Sequence, residues 1–172
     1  MLTPLRQLLY KNKMKEFRST NLDALPADHF DNIKHVGIVF EATDDAKESV
    51  KTFTNRLKAR DKAVEVLGFY NTKDEVYPQL FNFFTLSGVG FDLTPTSDIA
   101  LQFIQRPFDV LINLDFRNRR PVSYIVAASK AHFKIGPATG NVMHHDLMID
   151  LGKNYDPGKL IAEIRKTFKI MT

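Results

Sequence analysis

Cysteine is absent from all 172 residues, so disulfides, thiol nucleophiles and thiolate metal sites are excluded from the outset. No apolar run approaches the ~20 residues that a membrane-spanning helix requires. Glycine-rich phosphate loops are missing as well. Neither GxGxxG nor GxxxxGK[ST] occurs, and EATDDAKES (41–49), which follows the first strand-like run, is acidic and free of glycine. A pyrophosphate finds no close backbone approach there, which argues against a dinucleotide site of the usual kind. The G-x-S-x-G serine and the HExxH metal motif are also missing. The N-terminal MLTPLRQLLY has no leading basic region, carries Arg6 inside its apolar part and shows no small-residue cleavage site. The expected location is therefore cytoplasmic, with peripheral attachment at the inner membrane left open.

What remains is ordinary globular composition, 44% hydrophobic and 26% charged, in a length that suits one domain. The net charge of +4 is unevenly placed. Residues 1–18 hold Arg6, Lys11, Lys13, Lys15 and Arg18 against Glu16, and the rest of the chain balances 19 basic against 19 acidic side chains. The pI near 9.2 thus describes a basic arm on a neutral body, and no general affinity of the body for nucleic acid follows.

Residues 3–17 have helical spacing, with Pro4 tolerable in a first turn. Leu2, Leu5, Leu8 and Leu9 fall within about 120° of one another, while Tyr10, Met14 and Phe17 form a second apolar group. STNLDALPADHFDN (19–32) contains turn formers and Pro26, so 19–33 reads as a linker between a basic helix (1–18) and a domain (34–172).

Within the domain, HVGIVFEA (35–42), AVEVLGFY (63–70), FNFFT (81–85), FDVLINL (108–114), HFKIG (132–136) and DLMIDL (146–151) read as strands. Between them, helices are expected after the caps at Thr43 or Asp44, at Thr96 or Ser97, at Pro121 and at Asp156. Their expected inward faces are Val50, Phe53 and Leu57; Ile99, Ala100, Phe103 and Ile104; Val122, Ile125, Val126 and Ser129; and Leu160, Ile161, Ile164 and Phe168. Alternating strands and helices specify an α/β fold: one doubly wound, mostly parallel, six-stranded Rossmann-like sheet with a basic N-terminal helix. Ligands in such folds sit beyond the carboxyl ends of the strands, which selects residues 41–45, 71–74, 85–88, 115–123, 136–145 and 150–154.

Among these, NLDFRNRRP (113–121) stands out. Arg117, Arg119 and Arg120 beside a Pro-initiated helix N-terminus form a natural phosphate or carboxylate site, with Asn118 and Ser123 in reach and Asp115 placed to orient an Arg or accept a sugar hydroxyl. The plainer alternative is a solvated Asp/Arg loop. The carboxylates Glu41, Asp44 and Asp45 suit a divalent cation, but a helix cap accounts for them equally well. His144 and His145 precede Asp146, and neighbouring side chains of an extended strand point to opposite faces, so a shared metal is not expected. The aromatics of YPQLFNFF (77–84) suit base stacking or, more simply, the core. The arm, through Leu5, Arg6, Leu8, Leu9, Lys11, Lys13, Lys15 and Arg18, is a candidate for docking on a protein partner, an anionic membrane or a ribosome. No catalytic residue, metal or cofactor is expected from any of these patterns.

Segment 108–136, FDVLINLDFRNRRPVSYIVAASKAHFKIG, resembles part of the acceptor half of the heptosyltransferase-like, two-domain glycosyltransferases. The shared features are the strand at 109–114, the polar loop at 115–120, the Ser-led helix at 123–131 and the basic strand ending in Ile135 and Gly136. Those enzymes carry a glycine-containing turn where this chain has FEATDD, and their donor sugar binds a second domain. The resemblance therefore implies the fold more than the activity. The longer stretch 34–152, with VGIVFEAT, VLGFYN, FDVLINL, FKIG and DLMIDLG, is similar to a family of small uncharacterised α/β proteins of Bacteroidota, which implies a cytoplasmic bacterial protein and transfers no catalytic residue. The expected role is a non-catalytic binding or adaptor protein docking through its N-terminal helix, or alternatively a binder of a phosphate, nucleotide or sugar phosphate at 115–123, with a glycosyltransferase-related activity included in that alternative.

Overall fold

Val36, Ile38, Val39 and Phe40 are all buried, the pattern of a strand covered on both faces. In the computed structural model, which describes residues 4–17, 30–139 and 144–168, this run is β1 (His35–Glu41). It pairs in parallel with β2 (Ala63–Tyr70) on one side and β4 (Val110–Asn113) on the other. β3 (Asn82–Thr85) extends the sheet beyond β2, while β5 (Phe133–Pro137) and β6 (Leu147–Ile149) extend it beyond β4. The sheet is six-stranded and parallel throughout, in the order β3-β2-β1-β4-β5-β6. Chain direction across it reverses between β1 and β4, so the tips of those strands flank the switch point.

α2 (Asp44–Lys58) and α5 (Pro157–Thr167) cover one face, joining Val50, Phe53, Leu57, Leu160 and Ile164 to Ile38, Phe40, Ile112 and Ile135. α3 (Asp98–Gln105) and α4 (Arg120–Ala128) cover the other, with Phe103, Ile104, Val122 and Ile125 against Val39, Leu67 and Leu111. Local chemistry starts these helices where the sequence indicates. Thr43 Oγ1 accepts from the Ala46 N–H at 3.3 Å, and Asp156 Oδ1 accepts from the Lys159 N–H at 2.9 Å, each satisfying one of the orphan donors of a first turn. The doubly wound, Rossmann-like reading is thus the observed fold.

α1 (Pro4–Met14) lies outside α4 as a further layer. Tyr10 and Met14 are buried with Leu93 and Ala127, and Phe17 meets Tyr124 edge-on at 5.4 Å. Of its two apolar groups, Tyr10, Met14 and Phe17 face the domain, while Leu5, Leu8 and Leu9 face solvent. Leu2 and Arg18 lie outside the described residues, as does most of the expected linker; its last residue, Ile33, is part of the core.

Two expectations are corrected. Ile99 is 42% exposed, because it sits about 90° around α3 from the centre of the buried group Ala100, Phe103 and Ile104. The aromatic stretch 77–84 enters β3 only at Asn82, so Phe84 is core and Phe81 packs on Phe40 at 5.3 Å, but Tyr77 and Leu80 stand in solvent. The parallel connection from β2 to β3 contains no helix, and none was expected there. A groove of about 740 Å3 takes the place of a crossover helix there, between α2 and the side chains of Val64, Val66 and Phe81.

Candidate functional site

Asp115 follows directly on the β4 tip and is only 3% exposed. Its Oδ1 accepts from the Arg117 N–H at 2.9 Å and its Oδ2 from the Arg119 N–H at 2.6 Å, so the carboxylate is wrapped by its own loop. Asn118 takes a left-handed φ of 53° to close that wrap, a conformation asparagine tolerates better than most residues. Burial raises the Asp115 pKa to about 6, opposed by the two backbone donors and reinforced by nearby Glu41. Asp115 therefore shapes the loop, and does not reach out to orient a guanidinium or take a sugar hydroxyl.

The guanidinium groups go elsewhere. Arg117 Nη1 donates to Glu41 Oε2 at 2.9 Å, and Arg119 donates through both Nε and Nη2 to Glu41 Oε1 at 2.8 Å. Glu41 ends β1, so this ion cluster sits at the carboxyl ends of β1 and β4, beside the switch point where a dinucleotide would lie in a fold of this order. One carboxylate serves two guanidiniums, leaving the cluster one positive charge in excess. The partners are 76 and 78 residues apart in sequence, and nothing in the local pattern signalled the pairing.

Beside that ion cluster lies a cleft of about 730 Å3. Arg6 from α1, Lys73 from the β2–β3 connection, and Arg117, Arg119 and Arg120 all line it, together with Asn71, Ser87 and Asn118. Phe69, Leu86, Val89, Phe91, Leu93 and Pro121 supply apolar walls, and no carboxylate or imidazole belongs to the lining. Hydrogen bonds help to hold α1 against it: the Tyr10 hydroxyl donates to the Arg120 carbonyl at 2.8 Å, and Arg6 Nε donates to the Phe91 carbonyl at 2.7 Å. The Arg120 guanidinium lies over the Tyr10 ring and that of Arg6 over Phe91, each 5.3 Å from the ring centre. Burial pushes the Tyr10 hydroxyl well above its ordinary range, which keeps it a donor.

The structure thus brings Arg117, Asn118, Arg119 and Arg120 together, adds Arg6 from the arm, and leaves Ser123 behind the cleft, near Tyr10. Lys13 forms an ion pair with Asp92, Lys11 is exposed on α1, and Lys15 is exposed in the turn that follows it. The contributions of 89–93 escaped the sequence reading because that segment is an irregular connection, closed on itself by the Gly90–Thr94 and Leu93–Gly90 backbone hydrogen bonds and brought to the cleft by the fold.

At the tip of β4, Asn113 Oδ1 accepts from the Asp115 N–H at 2.9 Å, so its Nδ2 must be the donor toward His145 Nε2, 3.0 Å away. His145 is thereby fixed with its proton on Nδ1, which is buried and has no hydrogen-bond partner. Its ring rests on Gly136, where an added Cβ would collide with it. Burial lowers its pKa to about 4, so the imidazole is neutral. Asp44 and Asp45 sit in the first turn of α2, and the described residues hold no group of three or more His, Asp or Glu arranged for a metal.

Residues 6–171 match a family of unknown function, DUF6913, and the chain belongs to that family. No curated protein matches the sequence. Among solved structures, the glycosyl transferase family 9 protein from Veillonella parvula DSM 2008 is similar, with a TM-score of 0.51 and 14% identity over 80% of this chain. The match covers 42% of that protein, so this chain spans less than half its length and shares with it a fold.

Proposed function

We propose that this member of DUF6913 is a non-catalytic binding protein for a small anionic ligand, a phosphate, nucleotide or sugar phosphate, held in the basic cleft between α1 and the β4–α4 loop. One observation carries the reading: basic side chains from three distant parts of the chain, Arg6, Lys73 and Arg117 to Arg120, converge on a cleft whose lining contains no carboxylate. Arg forks match oxyanion geometry, and the N-terminal end of α4 adds a favourable dipole. The likeness to the acceptor half of a glycosyltransferase brings sugar phosphates into the ligand class, and a glycosyltransferase-related activity remains the second form of this reading. Similarity of 34–152 to proteins of Bacteroidota supports a cytoplasmic setting in a bacterium of that group.

A thermal-shift series with inorganic phosphate, pyrophosphate, nucleotides and sugar phosphates tests it. A ligand at 100 times its dissociation constant stabilises the folded state by about 2.7 kcal/mol. The expected result is a saturable shift that Arg119→Ala and Arg120→Ala each abolish. No shift with any of these anions, or a shift that survives both substitutions, overturns the assignment.

A further inference from the structure

α1 is apolar on both sides. Tyr10 and Met14 hold it to the domain, yet Leu5, Leu8 and Leu9 on its outer side are 57%, 55% and 38% exposed. A surface helix of a soluble domain normally turns polar groups outward, so this outer face lacks the cover its composition calls for. Phe91, 60% exposed, lies under the Arg6 guanidinium, and Arg6 is one turn from Leu9, so the ring extends the strip sideways.

Charge identifies the cover. Lys11 on the same helix and Lys15 just past its end are exposed, with Glu16 the single acidic residue of 4–17. The chain's whole excess of positive charge falls within residues 1–18, the remainder being balanced. The net positive charge thus belongs to the same N-terminal segment that carries the exposed leucines. A neutral protein groove would satisfy the leucines and leave the lysine rim unmatched; an anionic bilayer satisfies both. We propose that the outer face of α1, with Phe91, docks on an anionic lipid surface, the helix lying in the plane of the membrane. No helix among the described residues is long and apolar enough to cross a membrane, so this attachment is lateral and reversible.

The test is co-sedimentation of the full chain with phosphatidylcholine vesicles, with and without phosphatidylglycerol. Binding is expected to the anionic vesicles only, to weaken with salt, and to fall about tenfold in Leu5→Ser/Leu8→Ser and in Lys11→Glu/Lys15→Glu. These side chains are exposed, so both double variants should melt with the wild type. Failure of the wild type to pellet with anionic vesicles overturns the proposal, as does undiminished binding by the leucine variant. A wild-type dimer in light scattering that the leucine variant dissociates also overturns it, because a second copy then covers the strip. Arg119→Ala should keep vesicle binding while losing its phosphate response, so the two readings fail separately.

Discussion

Asp115 turns both carboxylate oxygens inward, toward the N–H groups of Arg117 and Arg119, and its burial has a sign that stability measurements can read. Its folded pKa, raised to about 6, lies above the ordinary value of 3.8. The folded state thus holds the proton more tightly than the unfolded chain does. Stability from this group is full below about pH 4 and is lost as pH rises through about 6, by an amount on the order of 3 kcal/mol. His145 acts in the opposite direction: its pKa lowered to about 4 gives stability that is present above about pH 6.5 and lost as pH falls toward 4. Urea midpoints of wild type and Asp115→Asn, measured side by side from pH 4.5 to 7.5, isolate the first effect. The wild type should lose ground to the variant as pH rises. Glu41 offers a second residue-scale test. As the carboxylate shared by Arg117 and Arg119, it competes with any incoming anion, so Glu41→Gln should tighten phosphate binding about fivefold, equivalent to ~1 kcal/mol, while lowering the melting temperature. Calorimetric titration with phosphate checks the affinity arm.

At the level of elements, α1 shows where sequence reasoning reaches and where it ends. Two apolar groups were legible on its wheel, but the choice of the inward one depends on Tyr124, Ala127 and Leu93, more than 75 residues away. Spacing within one helix carries no information about them. Tyr10→Phe should cost about 1 kcal/mol by removing the hydrogen bond to the Arg120 carbonyl, and Tyr10→Ala several times that by emptying its buried site. Thermal melts of the two variants separate the hydroxyl from the ring. The 115–120 loop was legible in the same partial way. Its place at the carboxyl end of a strong strand followed from the βαβ order, whereas the ion cluster with Glu41 and the burial of Asp115 arise only when β1 and β4 become neighbours. Ile99 was misplaced because in an eight-residue helix one position at the edge of the apolar arc is decided by its tertiary neighbours.

Across the whole molecule, the sheet was readable because each strand is a short apolar run bounded by caps and turns, and the parallel pairs β1–β2 and β4–β5 follow from the helices between them. Lateral order was not, since the positions of β3 and β6 are set by contacts between elements. Neither of the two sheet-face cores contains a residue of α1. A chain starting at residue 18 should therefore still fold cooperatively, with weaker phosphate binding because Arg6 is lost from the cleft. Circular dichroism and the thermal-shift assay together check both halves of that expectation.

The missing crossover helix between β2 and β3 has a consequence in time. β3 is an edge strand, guarded on one face by α3 and open on the other to the groove beside α2. Its amides have less to break before they meet solvent than those of β1, which are enclosed by strands and helices on every side. Hydrogen–deuterium exchange should therefore run across the sheet in spatial order, with 82–85 labelling first, β2 next, and β1 only on opening of the whole domain. The sheet would then loosen from its uncovered edge, away from the Glu41 cluster at its centre.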